Sequence, residues 1–321
     1  MTVSVAVATY NGEKYIKKQL ESILKQTVKV DEVVICDDCS TDRTADICNR
    51  FIEENNLSGW SFSVNEKNVG YCLNFYGAIE ICRGDVIFLA DQDDEWHYDK
   101  VEKTLQCLEK NTDITVLSSR YNVIDENSKI IENSGVTYLG NVFNGSVEYY
   151  TSRSFIGCSY VRGFSMCFKK ELKQYLKPID LQSIMSHDWY ICFLGSLLGK
   201  TAVLNTKLTD YRYHFDNVSL SDMTRKKLIG SFRKRVNGLE ESIEAHTYLT
   251  EFMDTDLKYE TENFIAFEKK RLKFLTKKSI FLWFSLFFKI DEYSRYYKGK
   301  GLKVWLGDFA YAYNINPNFR I

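Results

Sequence analysis

Residues Asp85–Trp96 read "DVIFLADQDDEW": the apolar run Val86–Leu89 drives straight into Asp91, Asp93 and Asp94, with Glu95 just behind. A short continuous apolar run of this kind reads as a buried strand. Carboxylates crowded at its end repel one another, and a shared site raises at least one of their pKa values. Such a cluster is either a solvated turn or a place that something positive completes.

Working outward, the same pattern recurs. "VSVAVAT" (Val3–Thr9) reads as a buried strand, "KYIKKQLESILKQ" places Ile16, Leu20, Ile23 and Leu24 on one helical face, and "EVVIC" is a strand again. "STDRTADICNRFIEEN" offers Ser40, Thr41 or Asp42 as helix caps and sets Ala45, Cys48, Phe51 and Ile52 on one side. "SFSV" and the helix-like "YCLNFYGAIEIC" precede the acidic strand, and a helix carrying Val101, Leu105 and Leu108 follows it. This alternation predicts an α/β protein whose mostly parallel sheet has helices on both faces. In such sheets ligands bind outside the carboxyl ends of the strands. Those ends carry "TYNGE" (Thr9–Glu13), "DDCSTD" (Asp37–Asp42) and "DQDDEW" (Asp91–Trp96), so three strands are expected to bring polar residues to one edge. No G-x-G-x-x-G loop follows the first strand, which argues against a dinucleotide.

Length and charge bound the remaining options. A chain of 321 residues can bury one large core or a core plus an appendage, and a net charge of −1 gives no overall field to recruit nucleic acid. The start, "MTVSVAVATYNGEKY", has no basic n-region. The longest apolar run, "SIFLWFSLFF" (Ser279–Phe288), is half of the roughly 20 residues a membrane span needs, so a cytoplasmic location is expected. Nine cysteines scattered through apolar segments read as reduced thiols. "CDDC" (Cys36–Cys39) has no second pair to complete a zinc site. "GSLLGKT" (Gly195–Thr201) has one residue too few between its glycines for a phosphate loop.

Taken in order, "VSVAVATYNGEKYIKKQLESILKQT", "VVICDDCSTDRT", "KNVGYCLNF" and "DVIFLADQDD", with "SHDWY" (Ser186–Tyr190) further on, resemble glycosyltransferase family 2, whose fold is GT-A. Within it, "DQDDEW", "HDWY" and "YRYHFDNVS" are most similar to bacterial rhamnosyltransferases of cell-surface polysaccharide synthesis. The resemblance implies metal-dependent, inverting transfer of L-rhamnose from dTDP-rhamnose to a glycan or lipid-linked acceptor. It sets Asp91, Gln92 and Asp93 on the family's Asp-x-Asp motif, with Mn²⁺ or Mg²⁺ held by Asp93 and Asp91. Tyr10 matches the ring that stacks on the base, and Asp38 the acid that accepts from the base's imide N–H. Uracil and thymine offer that donor and cytosine does not, which favours UDP or dTDP. Thr9, Asn11, Glu13, Asn68 and Gly70 complete the donor side; Asn68 reads equally as a turn former, and Asp42 as a cap. Asp188 matches the catalytic base and reads also as a helix N-cap, while His187 stands where many members carry Glu. Arg212 and His214, two residues apart, share a face if extended; they are candidates for the diphosphate and for a further metal ligand.

Other readings stay open beside this one. A UDP-hexose or UDP-N-acetylhexosamine donor would use the same motifs. A sugar-nucleotidyltransferase or glycoside hydrolase would use other ones, and a nucleotide-sugar-binding protein without turnover would not need Asp188. The expected organisation is a catalytic domain over 1–219, with a nucleotide-sugar half (1–110) and an acceptor half (111–219), followed by a helical region over 220–321. In that region "TRKKLIGSFRKR", "EKKRLKFLTKKSIFLWFSLFFK" and "RYYKGKGLKVWL" mix basic and apolar residues at helical spacing. Such helices pack under a catalytic domain, dock on the inner face of the plasma membrane, or self-associate into a homo-oligomer.

Overall fold

A computed structural model describes residues 1–132, 143–157, 161–179, 186–214, 228–296, 300–313 and 315. The expected boundary at 219/220 and the end of "YRYHFDNVS" lie outside the described residues.

The first half alternates as its sequence predicts: β1 (Val3–Thr9), α1 (Ile16–Leu24), β2 (Glu32–Asp37), α2 (Thr44–Glu54), β3 (Trp60–Val64), α3 (Tyr71–Ile81), β4 (Val86–Asp91). Then follow β5 (Glu95–Trp96), α4 (Lys100–Lys110), β6 (Ile114–Ile124), β7 (Val147–Tyr150), β8 (Met166–Lys169), α5 (His187–Leu198) and β9 (Lys200–Arg212). The strands form one sheet in the order β3-β2-β1-β4-β8-β6-β9-β5, with β7 also on β9. The β3-β2-β1-β4 half is parallel, as are β6 and β9, whereas β8 runs antiparallel to both its neighbours, and β5 and β7 antiparallel to β9. The sheet is therefore mixed, and its parallel part is the part the alternation predicts.

Side chains alternate along each strand, so one sheet buries two layers. Val5, Val7, Val33, Ile35 and Phe88 pack under α1, α2 and α4. Ala6, Val34, Ile87 and Leu89 face the opposite way, toward α3 and α5. Of the face expected on α1, Ile16, Leu20 and Ile23 are buried, but Leu24 ends the helix on its exposed side. The register sets Thr9 beside Asp37 and Ala8 beside Asp91, so β1, β2 and β4 do end together at one edge.

Five helices complete the described chain: α6 (Leu228–Leu249), α7 (Thr255–Lys277), α8 (Ile280–Phe287), α9 (Ile290–Tyr296) and α10 (Gly301–Ala312). They continue the α5 layer rather than forming a core of their own. Trp189 and Phe193 of α5 meet His246 of α6 edge-on, at 5.1 and 6.1 Å between ring centroids, and Phe264 of α7 belongs to the same buried cluster. Ser242 donates to Glu268 Oε1 at 2.6 Å and lies 3.2 Å from His246 Nδ1. All three side chains are fully buried, so this Ser-His-Glu set braces α6 against α7 and presents no nucleophile. Asp308 of α10 takes Arg271 Nε at 2.6 Å, Arg271 Nη2 at 2.9 Å and Arg235 Nη1 at 2.5 Å, tying α10 to α7 and α6. Among the described residues no helix is long and apolar enough to cross a membrane.

Candidate active site

The loop after β1 is stitched to its neighbours by its own polar groups. The Thr9 hydroxyl is buried and donates to Asp37 Oδ1 at 2.7 Å. Asn11, in the left-handed region at φ 49°, donates its N–H to Ser40 Oγ and accepts from Thr41 N–H, both at 2.8 Å. Glu13 accepts from Arg43 N–H and Nε, and Asp42 accepts from Glu13 N–H and Thr44 N–H, the latter in the first turn of α2. Asp42 thus stands one residue ahead of the N-cap, Arg43, and holds the first N–H of α2. Gln92 Oε1 accepts from Tyr10 N–H at 2.8 Å and its Nε2 donates to Tyr10 O at 2.9 Å. A Cβ at residue 12 would fall 2.2 Å from Gln92 Oε1, so glycine there is what lets the amide in. Thr9, Asn11, Glu13 and Gln92, expected on the donor, hold the loop that presents Tyr10, whose side chain stays half-exposed.

Asp38 sits beneath the next loop. Its Oδ1 accepts from Val69 N–H (2.8 Å) and Asn65 Nδ2 (3.0 Å), its Oδ2 accepts from Gly70 N–H (2.8 Å), and its backbone carbonyl accepts from Asn68 Nδ2 (3.1 Å). Gly70, at φ 85°, supplies the left-handed turn into α3 that aims two successive N–H groups at one carboxylate. Asn68 thus ties this loop to the backbone after β2.

At the end of β4, Asp91, Asp93 and Asp94 each bring a carboxylate oxygen to within 4.8 Å of the others. Burial, then Asp93 and Asp188, push Asp91 up to about 7 against the pull of Arg162 and Lys100. Burial, Asp93 and Asp91 also push Asp94 well above the ordinary carboxylate value. Asp94 Oδ1 accepts from Arg212 N–H at 2.9 Å, while its buried Oδ2 has no hydrogen-bond donor. A buried carboxylate oxygen without a donor is costly, and three hard oxygens in reach of one point suit Mg²⁺ or Mn²⁺. The residues present fit such a cation, with Asp94 added to the expected pair.

Arg212 corrects an expectation. Its guanidinium is fully buried: Nε donates to Asp93 O at 2.8 Å, Nη1 to Asp125 O at 2.8 Å, Nη2 to Glu95 Oε1, and it lies 4.7 Å over the Tyr15 ring. It clamps the acidic turn from behind instead of facing a diphosphate. His214 Nε2 meets Asp93 Oδ2 at 2.8 Å, so it contacts the cluster through Asp93. The two do share a side of the chain, as their spacing predicts.

Asp188 is the second residue of α5, whose N-cap is Ser186, so it is not the N-cap that its position suggested. Its Oδ2 accepts from Gly163 N–H at 3.0 Å, and its Oδ1 from Ser186 Oγ and from Trp189 N–H at 2.7 Å. It is near enough to Asp91 to help raise it. His187 turns away, stacked on Phe75 at 4.4 Å and edge-on to Tyr71, and burial lowers its pKa. A neutral ring packed among aromatics cannot replace the charge of a Glu.

Sequence reading missed Lys100. Its ammonium is buried, donates to Phe164 O at 3.0 Å and Thr209 Oγ1 at 2.9 Å, and lies 4.1 Å over the Trp96 ring. Burial drives it down to about 7, opposed by Asp94, Cys167 and Asp91. Its signal was positional: a cation in the first turn of a helix opposes the helix dipole, so α4 begins with Lys100 for a tertiary reason. Arg162, which pulls Asp91 down, was missed as well.

The family model "Glycosyl transferase family 2" matches residues 4–175, more than half of the chain, and spans the first acid-bearing edge. The chain belongs to glycosyltransferase family 2. It is similar to the dTDP-rhamnosyl transferase RfbG of Shigella flexneri, 28% identical over 251 residues covering 71% of this chain and 80% of that protein. It is similar also to glycosyltransferase GlyG of Streptococcus pneumoniae, 30% identical over 120 residues covering 37% of this chain and 39% of that one. Among solved structures, S. aureus TarS 1–349 in complex with UDP-GlcNAc superposes with a TM-score of 0.60 at 18% identity, covering 100% of this chain and 92% of that one. This glycosyltransferase thus has the GT-A fold.

Proposed function

We propose that this family 2 glycosyltransferase transfers L-rhamnose from dTDP-rhamnose, with inversion, to a glycan or lipid-linked acceptor in bacterial surface-polysaccharide synthesis. The observation that carries the reading is a fourth carboxylate, Asp188, standing near enough to the acidic triad to help raise Asp91. An inverting transfer needs one carboxylate to take the acceptor proton and a neutralised place for the leaving diphosphate, on opposite sides of the anomeric carbon. Asp188 has the first role. Asp91, Asp93 and Asp94 would hold the divalent cation, which when bound supplies Lewis-acid neutralisation of the diphosphate. Tyr10 offers its exposed ring to the base, and Asp38 the lone pairs left over by its backbone donors. The likeness to RfbG supports rhamnose and dTDP.

Turnover of dTDP-rhamnose, UDP-glucose, UDP-galactose and UDP-GlcNAc under one metal condition tests the donor. dTDP-rhamnose should be used best, with the base alone contributing no more than about 10- to 200-fold, the scale of one methyl in an apolar pocket. Efficient use of a UDP-hexose with no use of dTDP-rhamnose rejects the sugar.

The cation has its own test. The folded-state pKa of Asp91 lies above its ordinary value of 3.8, so its contribution to metal-free stability is full below that value and is lost as pH rises through about 7. A cation that binds the ionised triad competes with that proton. Mn²⁺ should therefore raise the melting temperature more at about pH 8 than at about pH 6, with about 2.7 kcal/mol added at a hundredfold excess over Kd. Equal shifts at both pH values, or none against a chelator control, would remove the cation from the triad.

A further inference from the structure

α8 presents an apolar face that nothing in the described chain covers. Phe281 and Phe288 are 84% and 85% exposed, and Ile280, Phe284 and Phe287 are exposed as well. This is not a loose end of chain. On its inner side Leu286 is buried, and Trp283 stacks on Trp305 of α10 with centroids 3.9 Å apart and planes 6° from parallel. The two indoles also exchange hydrogen bonds: Trp283 Nε1 donates to Trp305 O at 3.2 Å and Trp305 Nε1 to Trp283 O at 3.0 Å. The helix is pinned with its phenylalanines outward. Leu302, one turn before Trp305, is exposed too.

The rim of this face is cationic. Lys277 and Lys278 precede the helix, Lys289 follows it, and Lys300 and Lys303 flank Leu302; all are exposed, whereas Asp291 is the one exposed acid between residues 277 and 296. Contiguous apolar patches ringed by polar residues mark interaction surfaces. A second copy of the chain is the poorer occupant, because a two-fold contact would set these lysines against their own kind, and interface cores are depleted in lysine. A lipid surface fits both features, with aromatic side chains entering the acyl boundary while lysines meet anionic headgroups. α8 is about 12 Å long, far short of the hydrocarbon core, so it would lie in the interface plane.

We infer that α8 and its lysine rim dock this protein on an anionic bilayer. The inference does not rest on the donor or acceptor assigned above, because vesicle binding is read without sugar transfer. The full chain should cosediment with vesicles containing phosphatidylglycerol in phosphatidylcholine, less so as salt is raised, and weakly with phosphatidylcholine alone. Phe281→Glu with Phe288→Glu should cut binding at least about tenfold while the melting temperature holds, both side chains being solvent-exposed already. Lys277→Glu with Lys278→Glu and Lys289→Glu should abolish the preference for anionic vesicles. Equal binding to both vesicle types, or no binding to either, overturns the inference. So does a concentration-dependent dimer in sedimentation velocity that Phe281→Glu with Phe288→Glu dissolves.

Discussion

Asp188→Asn should lower sugar transfer by about 10²–10⁴, the range for loss of a general base, with nucleotide binding kept. The isosteric amide fills the same space at the start of α5 but cannot take a proton. It also cannot accept everything Asp188 accepts: Gly163 N–H lies on one oxygen, and Ser186 and Trp189 on the other. The amide NH₂ must face one of those donors, so one hydrogen bond is lost and stability should fall by about 1 kcal/mol. Single-turnover rates with calorimetry of nucleotide binding separate the two effects. Transfer within a few fold of the unmodified enzyme would make Asp188 a structural residue alone.

Asp308→Ala should cost about 3–5 kcal/mol of folding stability, because it leaves the Arg271 charge buried without its carboxylate. Against the 5–15 kcal/mol that holds a typical domain, that is a large share. Burial alone would push the Asp308 pKa up, but Arg271 and Arg235 outweigh it and hold the carboxyl below its ordinary value. The pair therefore stabilises the fold above the ordinary carboxylate pKa, and that contribution is lost as pH falls through the lowered value. Denaturant midpoints near neutral pH read the loss. A change of about 1 kcal/mol or less would rank the cluster with surface ion pairs.

The parallel half of the sheet was legible because its central strands are rich in buried apolar residues and α1, α2 and α4 each keep one apolar face. Val86–Leu89 and Ile16, Leu20 and Ile23 show this directly. The other half was not. β8 has four residues, Met166–Lys169, and β9 mixes Asn205, Thr206, Lys207 and Asp210 with its apolar positions, so neither has a clean period. In the site, the acids were legible because like charges at a strand end need an explanation. What sequence could not supply was depth. Arg212 and His214 were placed correctly side by side, yet only packing decides that the arginine lies beneath the acidic turn. Gln92 was read as the middle of a metal motif, and its bonds to the Tyr10 backbone depend on β1 and β4 ending together.

The shared layer between α5 and the C-terminal helices has a consequence for how this enzyme can be divided. Trp189 follows Asp188 directly; its indole donates to Phe155 O at 2.7 Å and its ring abuts His246. One peptide bond thus joins Asp188 to a residue central to the helical layer. Cutting the chain where its composition changes would not release a smaller transferase. It would strip the roof from Trp189, Phe193 and Phe155, and Asp188, the base we propose, would lose the wall on which it stands.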